Sequence, residues 1–337
     1  MAEPYILITG GCGFIGSNFV RHMLAKRRYR IVNFDKLTYA GNPENLQDIE
    51  KDERYTFIKG DIAEASDAEK VFELPIEFVV NFAAESHVDR SIIDPDAFIK
   101  TNINGTFRLL EMARKKNVKK FVQISTDEVY GSLGKEGKFR EDTPLAPNSP
   151  YSASKASADV LAMAYYTTYG MPVVITRCSN NYGPYQFPEK LIPLIISNAL
   201  DGIELPVYGD GLNIRDWIHV ADHCEAIDVV LHKGKEGNVY NIGGENERTN
   251  IEIVKLILKV LGKPETLIKY VKDRPGHDRR YAIDSTKLRQ ELGFKPHTDF
   301  AQGMEETVKW YVEHRGWWER IKSGAYLEYY KAMYGNR

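Results

Sequence analysis

The sequence predicts an α/β fold, a doubly wound parallel sheet followed by a smaller second unit. Three observations predict it. Short apolar runs recur through the first half of the chain, with helically spaced segments between them. A cluster of glycines follows the first run at once. The residues able to do chemistry fall just past the ends of the runs, and that edge is where open α/β sheets bind ligands.

The runs come in order. Tyr5-Ile6-Leu7-Ile8 ends at glycines and reads as a buried parallel strand. Residues 16–28 carry helical spacing at Phe19, Val20, Met23 and Leu24. Ile31 to Phe34 ends at Asp35, and Tyr55 to Ile58 ends at Gly60-Asp61. Phe78 to Asn81, Lys120 to Ile124 and Val173 to Thr176 complete six strands, with helices expected over 98–116 and 151–169. Right-handed crossovers put all the C-terminal strand ends on one edge. After residue 180 prolines and glycines become dense. The expected division is therefore 1–179, a cofactor-binding domain, and 180–337, a substrate-binding domain. A segment near 215–243 is expected to return to the first domain, through a strand at Val239 to Ile242.

Composition bounds the function. Of 337 residues, 43% are apolar and 27% charged, which describes an ordinary globular protein. A net charge of −2 supplies no field for nucleic acid, and the basic runs at Lys26-Arg27-Arg28 and Lys115-Lys116 are too short to change that. The cysteines, Cys12, Cys178 and Cys224, form no C-x-x-C pair; reduced thiols and a cytoplasmic location are expected. The N-terminus lacks a signal-peptide pattern, and no apolar stretch reaches the ~20 residues of a membrane span.

Gly10-Gly11-Cys12-Gly13-Phe14-Ile15-Gly16 lies between the first strand and the first helix. It satisfies G-x-G-x-x-G at 11, 13 and 16, and G-x-x-G-x-x-G at 10, 13 and 16. Such a turn lets backbone amides and a helix N-terminus approach a pyrophosphate. With Asp35 at the end of the second strand, the pattern is that of a Rossmann-type dinucleotide site. An acid there binds the adenosine ribose hydroxyls and repels a 2′-phosphate, so the cofactor expected is NAD; nearby Lys36 softens the preference. Asp61 fits the adenine edge, a helix N-cap, or both at once.

Tyr151 and Lys155 stand four apart after Pro150, on one face of a helix start. A free tyrosine has a pKa of about 10, and a neighbouring ammonium together with a positive nicotinamide ring favours the phenolate a base requires. Asp127 and Glu128 follow the fifth strand. As a dipeptide they read as a first-turn acid pair at a helix start; beside Tyr151 they read as a general acid and a general base.

The chain resembles the extended short-chain dehydrogenase/reductases, the family of nucleotide-sugar epimerases and dehydratases. The resemblance covers nearly its whole length. It rests on residues 35–41 (DKLTYAG), 83–91 (AAESHVDRS), 125–131 (STDEVYG), 177–184 (RCSNNYGP), 215–217 (RDW) and 273–278 (DRPGHD), with the Tyr151–Lys155 pair. Within the family the motifs resemble those of 4,6-dehydratases, since the epimerases lack the Asp-Glu pair. The implied substrate is dTDP-glucose, with UDP-glucose 4,6-dehydration the alternative and 4-epimerisation a further one. A catalytically silent NAD-binding sensor would have no use for Thr126, Asp127, Glu128, Tyr151 and Lys155 together.

The chemistry asks for the same set. Removing water across C5–C6 of a hexose needs an acidic C5–H, which oxidation at C4 supplies. One base serves the C4 hydroxyl, a second the C5 proton, and an acid protonates the C6 oxygen. Resemblance gives these to Tyr151 with Lys155, to Glu128 and to Asp127, with Thr126 at the C4 oxygen. It further implies cofactor contacts from Gly10, Gly13, Phe14, Ile15, Gly16, Asp35, Lys36, Leu37, Thr38, Asp61, Ile62, Phe82, Ala83, Ala84, Ser86, Thr101, Tyr151, Lys155 and Asn181. Substrate contacts are implied from Ser86, Thr126, Asn180, Lys190, Leu191, Leu205, Pro206, Val207, Tyr208, Arg215, Asn250, Arg274 and His277. Arg215 and Arg274 suit a diphosphate; the other reading of Arg215 is an ion pair with Asp216. His87 reads as a structural histidine. No metal is expected.

Helices 98–116 and 151–169 carry apolar residues beyond one face: Phe98, Ile103, Phe107, Leu109 and Leu110, then Val160, Leu161, Met163, Tyr165 and Tyr166. Similar enzymes pair these helices, which implies a homodimer.

Overall fold

The computed structural model describes residues 3–323. Twelve strands run β1 Tyr5–Thr9, β2 Arg30–Asp35, β3 Tyr55–Lys59, β4 Ile76–Asn81, β5 Lys120–Thr126, β6 Val173–Cys178, β7 Asn180–Tyr182, β8 Leu205–Tyr208, β9 Ile214–His219, β10 Val239–Ile242, β11 Glu247–Thr249 and β12 Ile268–Val271. Seven of them form one parallel sheet in the order β10-β6-β5-β4-β1-β2-β3. The strand order reverses beside β1, and a ligand crevice opens at such a switch point.

The helices are α1 Phe14–Lys26, α2 Ala65–Val71, α3 Val88–Ile93, α4 Pro95–Phe98, α5 Thr106–Lys115, α6 Pro150–Tyr169, α7 Leu191–Asp201, α8 Val220–Lys233, α9 Asn250–Leu261, α10 Thr286–Leu292, α11 Phe300–Glu313 and α12 Arg315–Ile321. Successive strand residues face opposite sides, so one apolar run feeds two cores. Ile6 and Ile8 join Phe19, Val20, Ile227 and Val230 beneath α1 and α8. Leu7 joins Val32, Phe34, Leu109 and Leu110 beneath α5 on the other face. A third core, around Tyr182, Ile196, Trp217, Ile257, Tyr311 and Trp318, holds the second unit, whose small sheets are β11-β9-β7 and β12-β8.

Within segment 215–243 the elements part company. Strand β9 enters the small sheet, α8 packs on α1, and only β10 joins the main sheet, parallel to β6.

The single helix expected over 98–116 is interrupted. Residues Ile99–Gly105 form a π-helical segment between α4 and α5. It turns Asn102 inward, where the side chain accepts from Glu85 N at 2.9 Å and donates to Glu85 O and to Ser154 Oγ at 3.0 and 2.8 Å. The distortion thus braces the loop after β4 against α6; π segments of this kind concentrate at functional sites. Helix α6 begins at a capping box between Ser149 and Ser152 with Pro150 at its first turn, and stops at Gly170 in the left-handed conformation.

Candidate active site

The glycine turn has the shape a dinucleotide needs. Gly10 has φ +68°, and a Cβ there would lie 2.7 Å from Ala83 N. A Cβ on Gly16 would sit 2.3 Å from Gly10 O, so α1 can approach the turn only as glycine. Gly13 caps α1 without a side-chain hydrogen bond, leaving the first amides of the helix for an anion. Asp35 is fixed at the end of β2 by Cys12 N at 2.9 Å and Leu37 N at 2.8 Å. Burial pushes its carboxyl above the usual carboxylate range, while those two amides oppose the shift. These residues fit NAD: orphan amides for the pyrophosphate and a buried acid for the ribose.

One cleft gathers most of the expected cofactor contacts. Gly10, Gly13, Phe14, Ile15, Gly16, Asp35, Lys36, Thr38, Asp61, Ile62, Phe82, Ala83, Ala84, Ser86, Thr101, Tyr151, Lys155 and Asn181 all line it. Leu37 does not line it; it adopts a left-handed backbone, and its contribution is the amide held by Asp35. Asp61 is not the N-cap of α2, a place taken by Glu64. Its carboxylate instead accepts from Ala63 N at 2.9 Å and pairs with Lys36 at 2.7 Å.

The chemical groups converge at the end of β5. Thr126 caps a short 3-10 turn, Asp127–Tyr130, by accepting from Glu128 N at 3.2 Å. Asp127 and Glu128 are therefore first-turn acids and cleft residues at once. The same Thr126 hydroxyl reaches Asp127 Oδ1 at 3.3 Å and hydrogen-bonds the Tyr151 phenol. Lys155 is buried and donates to Ile124 O at 2.6 Å. Burial, with Glu128 and Cys178 adding to it, holds Tyr151 well above the ordinary tyrosine value. Tyr151 and Lys155 both line the cleft, four residues apart on α6.

The two acids differ in their surroundings. Burial pushes Asp127 well above the carboxylate range, and Glu128 and Asp216 push it further. Its Oδ2 is buried without a hydrogen-bond partner. Glu128 is also raised by burial, but Arg274, Lys190 and Arg215 oppose the shift. Asp127 is thus suited to keep a proton and Glu128 to give one up.

Among the expected substrate residues, Ser86, Thr126, Asn180 and Lys190 line the cleft. Lys190 Nζ donates to Ser86 O at 2.9 Å. Arg215 does not pair with Asp216. It stacks on Tyr281 at 4.2 Å and donates to the Ile214 and Asp278 carbonyls, while Asp216 accepts from the Gly244 and Asn246 amides. Arg274 donates to Asp89 at 3.0 Å, and Tyr208 donates to the same carboxylate at 3.1 Å. His277 bonds Asp273 and lies against the Tyr208 ring. Leu205 and Val207 bury their side chains in the third core. Leu191, Pro206 and Asn250 begin or occupy α7, β8 and α9 without lining the cleft. His87 is buried, and burial with the cations Lys190, Arg274 and Arg90 drives it well below the ordinary histidine value, which suits a structural imidazole.

Sequence reasoning passed over Glu85, Gln186, Phe187 and Glu189, which also line the cleft. Arg90 lies 3.7 Å over the Tyr39 ring and pairs with buried Glu189 at 2.9 Å, while Phe187 meets the same ring edge-on. The loop after β2, helix α3 and the loop after β7 meet there. The signal for Glu189 was a lone acid beside Lys190 in a proline-rich loop.

A Rossmann sheet whose strand ends present a glycine turn, an acid after β2 and a Tyr-Lys helix start is the framework of an extended short-chain dehydrogenase/reductase. The sequence model of the family described as GDP-mannose 4,6 dehydratase matches residues 7–307. A dTDP-glucose 4,6-dehydratase of Xanthomonas campestris pv. campestris (strain B100) is 53% identical over 339 residues, covering 95% of this chain and 96% of the relative. The crystal structure of dTDP-glucose 4,6-dehydratase from Bacillus anthracis str. Ames in complex with NAD superposes with a TM-score of 0.89 at 56% identity, covering 95% of this chain and 100% of that one. That of the dTDP-glucose 4,6-dehydratase from Streptomyces venezuelae, also with NAD bound, gives 0.92 at 50% identity, covering 94% and 100%. The chain belongs to the dTDP-glucose 4,6-dehydratase family. Among the described residues no helix is long and apolar enough to cross a membrane.

Proposed function

We propose that this chain is a lyase that converts dTDP-glucose to its 4-keto-6-deoxy derivative and water. The observation that carries the reading is the contrast between Asp127, whose carboxyl burial and two neighbouring anions push up, and Glu128, faced by three cations, beside Tyr151. An epimerase needs neither acid. Bound NAD supplies a hydride acceptor and donor at this edge. The chain's residues handle the protons. Tyr151 takes the C4 hydroxyl proton, steadied by Thr126. Glu128 takes the C5 proton, and C5 regains a proton when C6 is reduced. Asp127 gives its proton to the departing C6 oxygen, so that water leaves.

The division of labour follows the topology: residues 1–179 with α8 and β10 hold the cofactor, and the remainder of 180–337 grips the nucleotide. Arg215 and Arg274 serve the diphosphate. Incubation with dTDP-, UDP- and GDP-glucose side by side tests the reading. The expected product is a 4-keto-6-deoxy sugar, seen by its absorbance in alkali, formed fastest from dTDP-glucose. A product that differs from substrate only in C4 configuration would overturn it.

We further propose a homodimer and a cytoplasmic location. Ile99, Phe107 and Val160 are exposed on the π segment, α5 and α6, which supports an apolar contact between copies of the chain. Three free buried cysteines suit a reducing compartment. Light scattering at micromolar concentration should give twice the chain mass; a monomer would rule the dimer out.

A further inference from the structure

Behind the cleft runs a buried polar chain that the proton inventory does not use. Asp159 lies on α6, one turn past Lys155 and two past Tyr151, and is almost fully buried. It accepts from Arg177 Nε at 2.9 Å. Arg177, on β6, is itself 5% exposed, and its NH1 donates to Tyr130 Oη at 2.9 Å. The guanidinium also lies 4.8 Å from the centre of the Tyr130 ring. Tyr130 closes the short turn that carries Asp127 and Glu128, and its hydroxyl donates to Asn241 Oδ1 on β10 at 2.8 Å.

One guanidinium therefore joins the helix that carries the oxidation pair to the turn that carries the elimination pair. A buried ion pair is a poor source of stability, since its desolvation cost rivals its attraction. Apolar side chains of the same volume would hold the fold as well. What the polar chain adds is direction: each bond has a fixed geometry, and breaking one leaves a buried charge without its partner.

We propose that Arg177 is a positioning residue for the reaction. It holds the Asp127–Tyr130 turn in register with α6, so that Asp127 and Glu128 meet a sugar already placed by Tyr151. This rests on the dehydratase reading above. Displacing a reacting group by about 1 Å can cost on the order of a hundredfold in rate. Loss of the link should therefore slow elimination while C4 oxidation continues.

Two variants test it, with NAD-loaded enzyme and dTDP-glucose in a single turnover. Tyr130→Phe removes the hydroxyl that accepts from Arg177 and donates to Asn241, and keeps the ring. Arg177→Lys keeps the charge and loses the fork. Both should lower 4-keto-6-deoxy product formation by roughly tenfold or more. The absorbance of reduced cofactor should build up beforehand, to a higher level than in wild type. A purely structural role would lower the unfolding temperature and slow both stages together, with no such build-up, and that result would overturn the inference. So would Tyr130→Phe at wild-type rate. If Arg177→Lys does not fold, Tyr130→Phe decides alone. Wild-type enzyme that gives no product from any nucleotide glucose sinks the functional reading and this inference with it.

Discussion

The guanidinium of Arg274 is tied at 3.0 Å to the carboxylate of Asp89, 185 residues away in sequence. Asp89 is almost fully buried on α3 and also accepts from Tyr208. One acid thus orients two side chains of the second unit, and Arg274 keeps a buried Nε without a partner. A fork held in advance loses less freedom when a diphosphate arrives. Asp89→Asn should raise KM for the nucleotide sugar by about tenfold, the equivalent of one hydrogen bond to a charged group at about 1.5 kcal/mol. Steady-state kinetics check this, with kcat expected within about threefold of wild type, because ground-state and transition-state binding weaken together. A fall in kcat at constant KM would place Asp89 in the chemistry instead.

The two acids should fail in different ways. Glu128→Gln removes the proposed C5 base and leaves Tyr151 in place. Product formation should drop by about a hundredfold or more, while C4 oxidation persists and solvent deuterium no longer enters at C5. Normal exchange in Glu128→Gln would remove the residue from that role. Asp127→Asn removes the proposed proton donor. Its deficit should shrink on a substrate analogue with fluoride at C6, which leaves with less help from an acid. Because the carboxyl of Asp127 lies well above its ordinary range, wild-type turnover should persist to a pH above that range and fall only as Asp127 deprotonates.

The frame of this protein was legible because its signals are local. The run before Gly10, the acid after β2 and the Tyr151–Lys155 spacing each lie within one element or turn, where period and geometry translate directly into position. What stayed hidden was set by elements distant in sequence. Arg215 and Asp216 are neighbours in the chain, but β9 is a strand and points them to opposite faces. The arginine therefore finds Tyr281 and the Asp278 carbonyl, and the acid finds the loop amides of Gly244 and Asn246. The π segment leaves no mark in an apolar periodicity that continues across it. The meeting of Tyr39, Arg90 and Glu189 joins the loop after β2, helix α3 and the loop after β7, and no spacing announces it.

Stability at acid pH should depend on Asp228. This buried carboxylate on α8 accepts from Arg27 at 3.0 Å and meets His22 and His232 at 2.9 and 2.8 Å, so it fastens α8 to the helix of the glycine turn. Burial raises its pKa, but His22, His232 and Arg27 together hold it well below the ordinary value. A depressed folded pKa contributes stability in full above the unfolded value of about 4 and loses it as pH falls toward the folded value. Asp228→Asn should cost about 2 kcal/mol near neutral pH, as expected for lost hydrogen bonds to a charged group. The difference from wild type should narrow steadily below about pH 4. Denaturant unfolding at several pH values measures it; a gap that stays constant down to acid pH would show that packing, not charge, is what the variant loses.

Retention of the cofactor should depend on Arg90. Its guanidinium lies between the Tyr39 ring at 3.7 Å and the Glu189 carboxylate at 2.9 Å, where the loop after β2, helix α3 and the loop after β7 come together beside the cleft. Burial raises the Glu189 carboxyl, and Arg90 and Lys190 oppose it. An enzyme that regenerates its NAD in each turnover gains nothing by releasing it, so a closure over the cleft costs no rate. A cation–π contact contributes about 0.5–2 kcal/mol, and the charged hydrogen bond adds to it. Arg90→Leu should therefore release NAD at least about tenfold faster, since each 1.4 kcal/mol is a factor of ten. Wild type should carry NAD through gel filtration and the variant should lose it, with turnover restored when NAD is supplied in excess. A variant that retains its NAD would show that the glycine turn and Asp35 hold the cofactor without help from these segments.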